Sequence, residues 1–391
     1  MTDVVVLSAV RTPIAKSHRG SLIHHTIFEL GNIVVAEALK RSGVDATDVD
    51  DVVLGEVIKG GGCTARHVVV ELGLPSHIPG MAVNRQCATS LSAVSVAAAG
   101  IAAGMDHVAI AGGVENITQT PMVFRPSPRP YGRMEQWVPP GHPPTVDAPG
   151  VMGILVGENT ADEAHISRAA QDEWAAMSHR RAIAAIDAGR FVNEIVPVTV
   201  TLDGRGTWLF DTDEHPRRDT TVEALSKLAP AFRANGTVTA GNSSGVNDAA
   251  CALVLASADY ARSHGLKPLA TIKAWAAGAV EPRLTGLAPT VVLPKALRRA
   301  GMTIDDLDLV EINEAFASMA VACTERLGLD VDRVNVNGGA VALGHPIGAS
   351  GARILTTLIH ELGKRGGGVG AATMCAGGGM GGAVIVEVSG S

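Results

Sequence analysis

The chain has 391 residues, of which 46% are hydrophobic and 18% charged, so it is long enough for two or three domains and too core-rich to be disordered. A net charge of -7 gives no general attraction to nucleic acid or an anionic membrane, and 3% aromatics leave too few rings for base-stacking platforms. The 45 glycines point instead to tight turns and close backbone approaches.

Taken in chain order, the first signals alternate between strand and helix. The run Val4 to Val10 is β-branched and reads as a buried strand. Apolar residues recur at helical spacing from Ile27 to Arg41, and Ser42-Gly43 reads as the stop. A second strand begins at Val52-Val53-Leu54-Gly55. Cys87 then heads a segment, 88 to 104, that contains no charge; its Ala, Ser and Gly content reads as a buried helix, not a membrane span. A strand and glycine turn, His107 to Gly113, follow. Such repeats argue for an α/β sheet covered on both faces.

Residues 118 to 150 break the pattern with many prolines and can form neither a regular helix nor a central strand. Ser167 to Ala188 reads as a helix opened by a serine N-cap, and Asp211 to Thr221 is polar. Near the end, a helix from about Ala349 to Gly363 precedes a strand, Gly368 to Met374, and then a loop that begins at Cys375. A reactive residue, a helix, a strand and a glycine loop thus occur twice, which suggests an internal duplication.

The five cysteines are odd in number and far apart, which argues against a disulfide framework. Met1-Thr2-Asp3 carries no basic stretch and no cleavable signal pattern, so a cytoplasmic protein is expected. Cys63 and His67 are close, but no second Cys/His pair supports a zinc site. Cys63, Cys251 and Cys323 read as core or surface thiols.

Three segments carry chemistry. Cys87 stands in Asn84-Arg85-Gln86-Cys87-Ala88-Thr89-Ser90, where a helix N-terminus is expected to lower its pKa and make it a nucleophile. His345 lies between Gly344 and Pro346, which allow close approach of a substrate and aim the ring. Cys375 opens Cys375-Ala376-Gly377-Gly378-Gly379-Met380. An attacking thiol, a histidine to take its proton and a second thiol in a glycine cradle suggest covalent acyl transfer in two halves.

These segments, with Val5 to Pro13, Gly236 to Gly245, and Glu311-Ile312-Asn313-Glu314-Ala315-Phe316, resemble the thiolase family in order and spacing. The resemblance implies an α/β thiolase fold: two duplicated halves stacked as a five-layered α/β/α/β/α core, with an inserted loop domain. Residues 1–117, completed by about 246–262, would form the N-terminal half, 118–245 the loop domain, and 263–391 the C-terminal half. The implied reaction is coenzyme A-dependent cleavage of a 3-ketoacyl-CoA to acetyl-CoA and a shortened acyl-CoA, or the reverse Claisen condensation.

By the same resemblance Cys87 carries the acyl group, His345 activates it and serves an oxyanion hole, and Cys375 is the general acid/base. Asn313 orients a water in that hole, and Gly377 supplies a backbone N–H to a second. Arg217 would meet coenzyme A phosphates, with Arg218 a weaker candidate. Ser244 would contact the pantetheine arm and Met152 would line the acyl pocket. No prosthetic group or metal is implied; coenzyme A and acyl-CoA are the ligands, and a homodimer or homotetramer is the expected assembly. The proline-rich stretch reads equally as active-site cover or oligomerisation arm.

Some positions depart from the family pattern. Val151 stands where short-chain members often have histidine, and Ala88-Thr89-Ser90 follows the nucleophile where glycine or serine and a later glycine are common. Gly60 to Arg66 looks short, and Leu284 to Pro289 is a loose match. An atypical acyl pocket is the expectation. The competing readings are a non-catalytic thiolase-like acyl-CoA or lipid binder, a carrier-dependent condensing enzyme of the same fold, and a papain-type protease, which has no use for Cys375.

Overall fold

The computed structural model describes residues 2–57, 62–137 and 141–390. Gly60 and Gly61, the first residues of the segment to Arg66 that looks short, lie outside them. Nine strands make up the main sheet: β1 (Val4–Arg11), β2 (Asp51–Gly55), β3 (Met81–Val83), β4 (Val108–Glu115), β5 (Asn247–Ser257), β6 (Ala270–Ala279), β7 (Leu309–Ile312), β8 (Gly368–Ala376) and β9 (Met380–Val388). They are hydrogen-bonded in the order β7-β8-β9-β6-β1-β5-β4-β2-β3, with a short strand, Ala15–Lys16, added beside β5.

The order reveals the duplication. One half runs β3-β2-β4-β5-β1, with β2 parallel to β3 and β4 and the other neighbours antiparallel. The other half runs β7-β8-β9-β6, with β7 parallel to β8 and the other neighbours antiparallel, and a parallel bridge from Val310 to Val334 stands where β3 stands in the first. The equivalent edge strands β1 and β6 pair antiparallel at Val4–Val6 and Ala270–Ile272 and join the halves.

Six helices position the site: α1 (Ile27–Ser42), α2 (Thr89–Ala102), α3 (Arg168–Asp187), α4 (Pro289–Ala300), α5 (Ala317–Arg326) and α6 (Ser350–Lys364). The helix expected before the Ser42-Gly43 stop signal is bounded by a Thr26–Glu29 capping box and by Gly43 at φ 72°. Likewise Ser167 Oγ accepts from Ala170 N–H at 3.1 Å and opens α3.

Five layers follow from what each helix touches. α1 covers the outer face of the first half and α4 that of the second. Between the half-sheets lie α2 and α6, each in contact with strands of both halves. The face of α2 turned toward the half-sheets, with Leu91, Val94, Ala97, Ala98 and Ile101 buried, has no room for an unpaired charge. The inner helices cross closely: Ser90 Oγ accepts from Ala352 N–H at 2.9 Å, and a Cβ on Gly351 would meet Leu91 N at 2.5 Å.

One expectation needs correction. The strand before the glycine loop does not end at Met374; β8 continues through Cys375 and Ala376, which pair with Gly381 and Met380, so the turn itself is Gly377–Gly379. Gly378 and Gly379 take φ of 85° and 81°, a region that favours glycine. Residues 118–137 and 141–150 are mostly exposed and irregular, with one two-residue strand pair, as the prolines dictate. Val198–Leu202 and Gly206–Phe210 add a separate hairpin.

Candidate active site

Cys87 sits two residues before α2, in a turn whose geometry is fixed by neighbouring side chains. Gln86 takes φ 49°, uncommon outside glycine, and its N–H donates to Asn84 Oδ1 at 3.0 Å. Arg85 N–H donates to Thr89 Oγ1 at 2.7 Å, and Thr89 N–H donates to the Gln86 carbonyl at 3.0 Å. The strained residue thus immediately precedes Cys87.

The thiol does not show the lowered pKa expected of a helix start. Burial pushes it up to about 11, against hydrogen bonds from the N–H groups of Gly377 and of Cys87 itself, with the Glu115 carboxylate adding to the rise. Desolvation of a thiolate exceeds what two amide dipoles return. Those two N–H groups nevertheless point at one sulfur, so the structure brings Cys87 and Gly377 together.

Cys375 is buried on β8, with its Sγ 3.5 Å from Met319 Sδ. Burial, then the neighbouring sulfurs of Cys87 and Cys323, hold its thiol well above the ordinary value. Asn313 follows β7, and its N–H donates to the Thr373 carbonyl, two residues before Cys375, at 3.0 Å. Asn313 Nδ2 lies 3.5 Å from His345 Nε2, and Asn313 Oδ1 is buried without a hydrogen-bond partner. A buried acceptor of that kind fits a water or ligand donor.

His345 is 6% exposed. Its Nδ1 lies 2.6 Å from Ser350 Oγ, and that hydroxyl donates to the Pro346 carbonyl at 2.8 Å. The hydroxyl proton being used, Oγ can only accept from Nδ1–H, which leaves the lone pair on Nε2. Burial, with help from the Arg353 charge, lowers the ring's pKa to about 4, so it is neutral at physiological pH. A neutral imidazole with a bare Nε2 is a base.

Loops bind these groups together. Ser244 N–H donates to the Ala315 carbonyl at 3.0 Å, and His345 N–H donates to Asn247 Oδ1 at 3.0 Å. Gly344 is at φ 105°, and a Cβ there would strike the Asn247 side chain at 2.4 Å. Glu115, whose charge acts on Cys87, accepts from Gly348 N–H at 2.9 Å and so links the cysteine turn to the histidine loop.

The residues expected to meet coenzyme A divide. A crevice of about 150 Å³ is lined by His179, His215, Arg217, Ser243, Gly245 and Val341. Arg217 is exposed, and its N–H donates to His179 Nδ1 at 3.1 Å. Arg218 is instead engaged at the surface, 2.6 Å from Asp187. Ser244 is beside this crevice in sequence, between two lining residues. Met152 is elsewhere: its sulfur would lie 3.5 Å from a Cβ built on Gly377.

Sequence reasoning missed three contributors. Ser350 fixes the histidine tautomer, and its signal was its place in the same block, five residues on. Gln86 packs on Gly377. Glu314 accepts from Trp174 Nε1 at 2.9 Å, Ser178 Oγ at 2.7 Å, Asn335 Nδ2 at 2.8 Å and Val341 N at 3.1 Å, and anchors the Asn313 loop to α3. Cys251 and Cys323 are buried thiols, and among the described residues no cluster could hold a metal ion. No described helix is long and apolar enough to cross a membrane.

The comparisons agree with this geometry. A family model described as "Thiolase, N-terminal domain" matches residues 4–259, and "Thiolase, C-terminal domain" matches 266–388. The acetyl-CoA acetyltransferase of Cupriavidus necator is 45% identical over 99% of this chain and 100% of its own length. That of Syntrophomonas wolfei is 44% identical over 98% and 99%. Among solved structures, the Bacillus anthracis acetyl-CoA acetyltransferase superposes with a TM-score of 0.92 at 40% identity, covering 99% of both chains. Human mitochondrial 3-ketoacyl-CoA thiolase gives 0.91 at 36% identity, again over 99% of both. Two matched family domains over nearly the whole chain, and relatives above 40% identity along their full length, leave one conclusion: this chain belongs to the thiolase family.

Proposed function

We propose that the protein is an acyltransferase that carries out reversible thiolysis: a 3-ketoacyl-CoA and coenzyme A give acetyl-CoA and an acyl-CoA shortened by two carbons, through an acyl-Cys87 intermediate. The observation that carries the reading is the convergence on the Cys87 sulfur of two backbone N–H donors, with a second thiol close enough to feel its charge.

The resting thiol at about 11 is protonated, so it needs a base. His345 Nε2 takes the Cys87 proton, and the sulfur attacks the ketone carbon, C3. The C2–C3 bond breaks, and its electron pair stays on C2 as the acetyl-CoA enolate, which Cys375 protonates. His345, now carrying Nε2–H, and a water held by Asn313 stabilise the thioester oxygen of that leaving half. The N–H groups of Cys87 and Gly377 stabilise the carbonyl oxygen of the acyl-enzyme. Coenzyme A then gives its thiol proton to the Cys375 thiolate, its sulfur replaces Cys87 on the acyl carbon, and His345 returns the Nε2 proton to the released Cys87 sulfur. Every atom is accounted for by the two substrates, so the scheme requires no prosthetic group.

In this reading 1–117 with 246–262, and 263–391, are the two core halves, and 118–245 is a loop domain over the site. Arg217 and Ser244 meet coenzyme A, Met152 meets the acyl chain, and the protein works in the cytoplasm as a homodimer or homotetramer. Against a binding-only role stands the complete set of Cys87, Asn313, His345 and Cys375. Against a carrier-dependent condensing enzyme stands a cysteine, Cys375, where those enzymes use a second histidine.

Thiolysis measured across 3-ketoacyl-CoA chain lengths, beside Cys87→Ala, tests the proposal. Cleavage that disappears in the variant supports it. A folded wild-type protein that cleaves none of the series contradicts it.

A further inference from the structure

The carbonyl of Ala342 has no donor in the next turn of its own helix. Ala342 lies in the single turn Ala340–Leu343, and the residue four positions on, which would donate in a continuing helix, is Pro346 and has no N–H. His345, three positions on, sends its N–H to Asn247 Oδ1 at 3.0 Å and to the Gly245 carbonyl at 3.3 Å. A donor from elsewhere in the chain meets the carbonyl: His215 Nδ1 lies 2.8 Å from the Ala342 oxygen. A carbonyl only accepts, so Nδ1 carries the hydrogen. Ala342 is fully buried, where an unmet carbonyl is costly.

The same ring touches the other side of the histidine loop. A Cβ built on Gly245 would strike His215 Nε2 and lie 2.8 Å from its Cδ2, so the imidazole occupies space that a side chain at 245 would need. Gly245 is the residue whose carbonyl takes the His345 N–H, and Val246, next to it, is bridged to His345. His215 therefore abuts both segments that hold His345, the turn before it and the glycine loop beside it.

His215 is itself fixed from both ends. Asp213 is paired with Arg11 through two bonds of 2.8 Å and accepts from Ile14 N–H at 2.7 Å. Glu214 accepts from Lys16 N–H at 2.7 Å and from Ser21 Oγ at 2.8 Å. Pro216 follows, and Arg217 N–H donates to His179 Nδ1 at 3.1 Å. A ring on so constrained a backbone can hold a neighbouring loop in one position. Burial lowers its pKa against the pull of the Ala342 carbonyl, and the charges of Arg217, Lys16 and Arg19 lower it further, so the ring is neutral at pH 8.

We infer that His215 is a positioning residue for His345, its ring setting the loop from which the base acts on Cys87. This rests on the thiolase reading above, in which His345 Nε2 takes the Cys87 proton. His215 also lines the crevice that Arg217 borders, so the rival role is a contact with coenzyme A alone.

The test is the rate of Cys87 alkylation by iodoacetamide at pH 8 without coenzyme A, read beside kcat and the KM for coenzyme A in thiolysis. Alkylation needs no coenzyme A, so a role confined to binding it would not move that rate. His215→Phe keeps a ring against Gly245 and removes the donor, whereas His215→Asn restores an amide N–H at the place of Nδ1–H. Alkylation and kcat should fall together roughly three- to tenfold in His215→Phe, the worth of one hydrogen bond, and His215→Asn should recover most of the loss. If His215→Phe does not melt cooperatively, His215→Gln replaces it, since its amide nitrogen falls nearer Nε2 than Nδ1, and the same fall is expected. Unchanged alkylation in a folded variant that lacks the donor overturns the inference, as does a loss that His215→Asn fails to recover or a rise in the KM for coenzyme A alone. His345→Asn is the reference: alkylation unchanged there overturns the proposed base itself, and this inference with it.

Discussion

Removing the Ser350 hydroxyl should disarm His345 while leaving every proposed reacting group in place. In Ser350→Ala the buried Nδ1–H loses the acceptor it has at 2.6 Å. Either that donor stays unpaired, which costs about 1–3 kcal/mol, or the proton moves to Nε2. The second choice points an N–H at the Asn313 amide 3.5 Å away and leaves no lone pair for Cys87. Both outcomes weaken the base by the same order, roughly 5- to 150-fold in rate. A thiol at about 11 gives little relief, since unaided it is thiolate in about one molecule per thousand at pH 8. The assay is kcat/KM for thiolysis at pH 8, read beside the rate of Cys87 alkylation by iodoacetamide and a thermal melt. Turnover and alkylation should fall together while the melt keeps one cooperative transition. If both rates stay within about twofold of wild type, the tautomer argument is wrong.

Two further perturbations follow from the same structure. His345 is held at about 4, below its ordinary 6.5, so above pH 6.5 both folded and unfolded chains keep it neutral and its contribution is fully present. As pH falls from 6.5 to 4 the unfolded chain binds a proton that the folded chain refuses, and stability drops by up to about 3 kcal/mol. Urea midpoints between pH 7.5 and 4.5 should therefore fall less for His345→Asn than for wild type, and equal slopes would count against a buried neutral ring. Arg217→Ala should raise KM for coenzyme A roughly three- to tenfold with little change in kcat. Arg218→Ala, whose guanidinium is tied to Asp187 at the surface, should change neither; steady-state kinetics with varied coenzyme A separates the two.

Much of the architecture was legible because its causes are local. The stop at Gly43 and the Ser167 cap sit in the sequence as plainly as in the fold. The uncharged stretch 88 to 104 announced a helix buried on both sides. The pairing of β1 with β6 was not legible, since nothing in Val4–Val6 or Ala270–Ile272 names its partner across more than two hundred residues. The boundary at Cys375 was misjudged because glycine following a strand looks the same whether the hairpin register closes one residue earlier or later.

The site divides the same way. Cys87, His345 and Cys375 could be named from their glycine-rich settings and from family resemblance, and Asn313 from its motif. The state of the thiol could not. A helix start predicts a lowered pKa, and only the depth of burial around the sulfur shows that desolvation exceeds the dipole. Ser350 and Gln86 escaped notice for a related reason: their importance lies in a hydrogen bond to Nδ1 and in a contact with Gly377, both made through space.

The central claim is that Cys87 carries the acyl group. It is tested most directly by incubating the protein with acetyl-CoA alone, quenching in acid and weighing its peptides. The account predicts one added acetyl group on the peptide containing Cys87, removed again by coenzyme A and absent in Cys87→Ala. An acetyl group found on Cys375 instead, or none on any cysteine of a protein that still cleaves 3-ketoacyl-CoA, would contradict it.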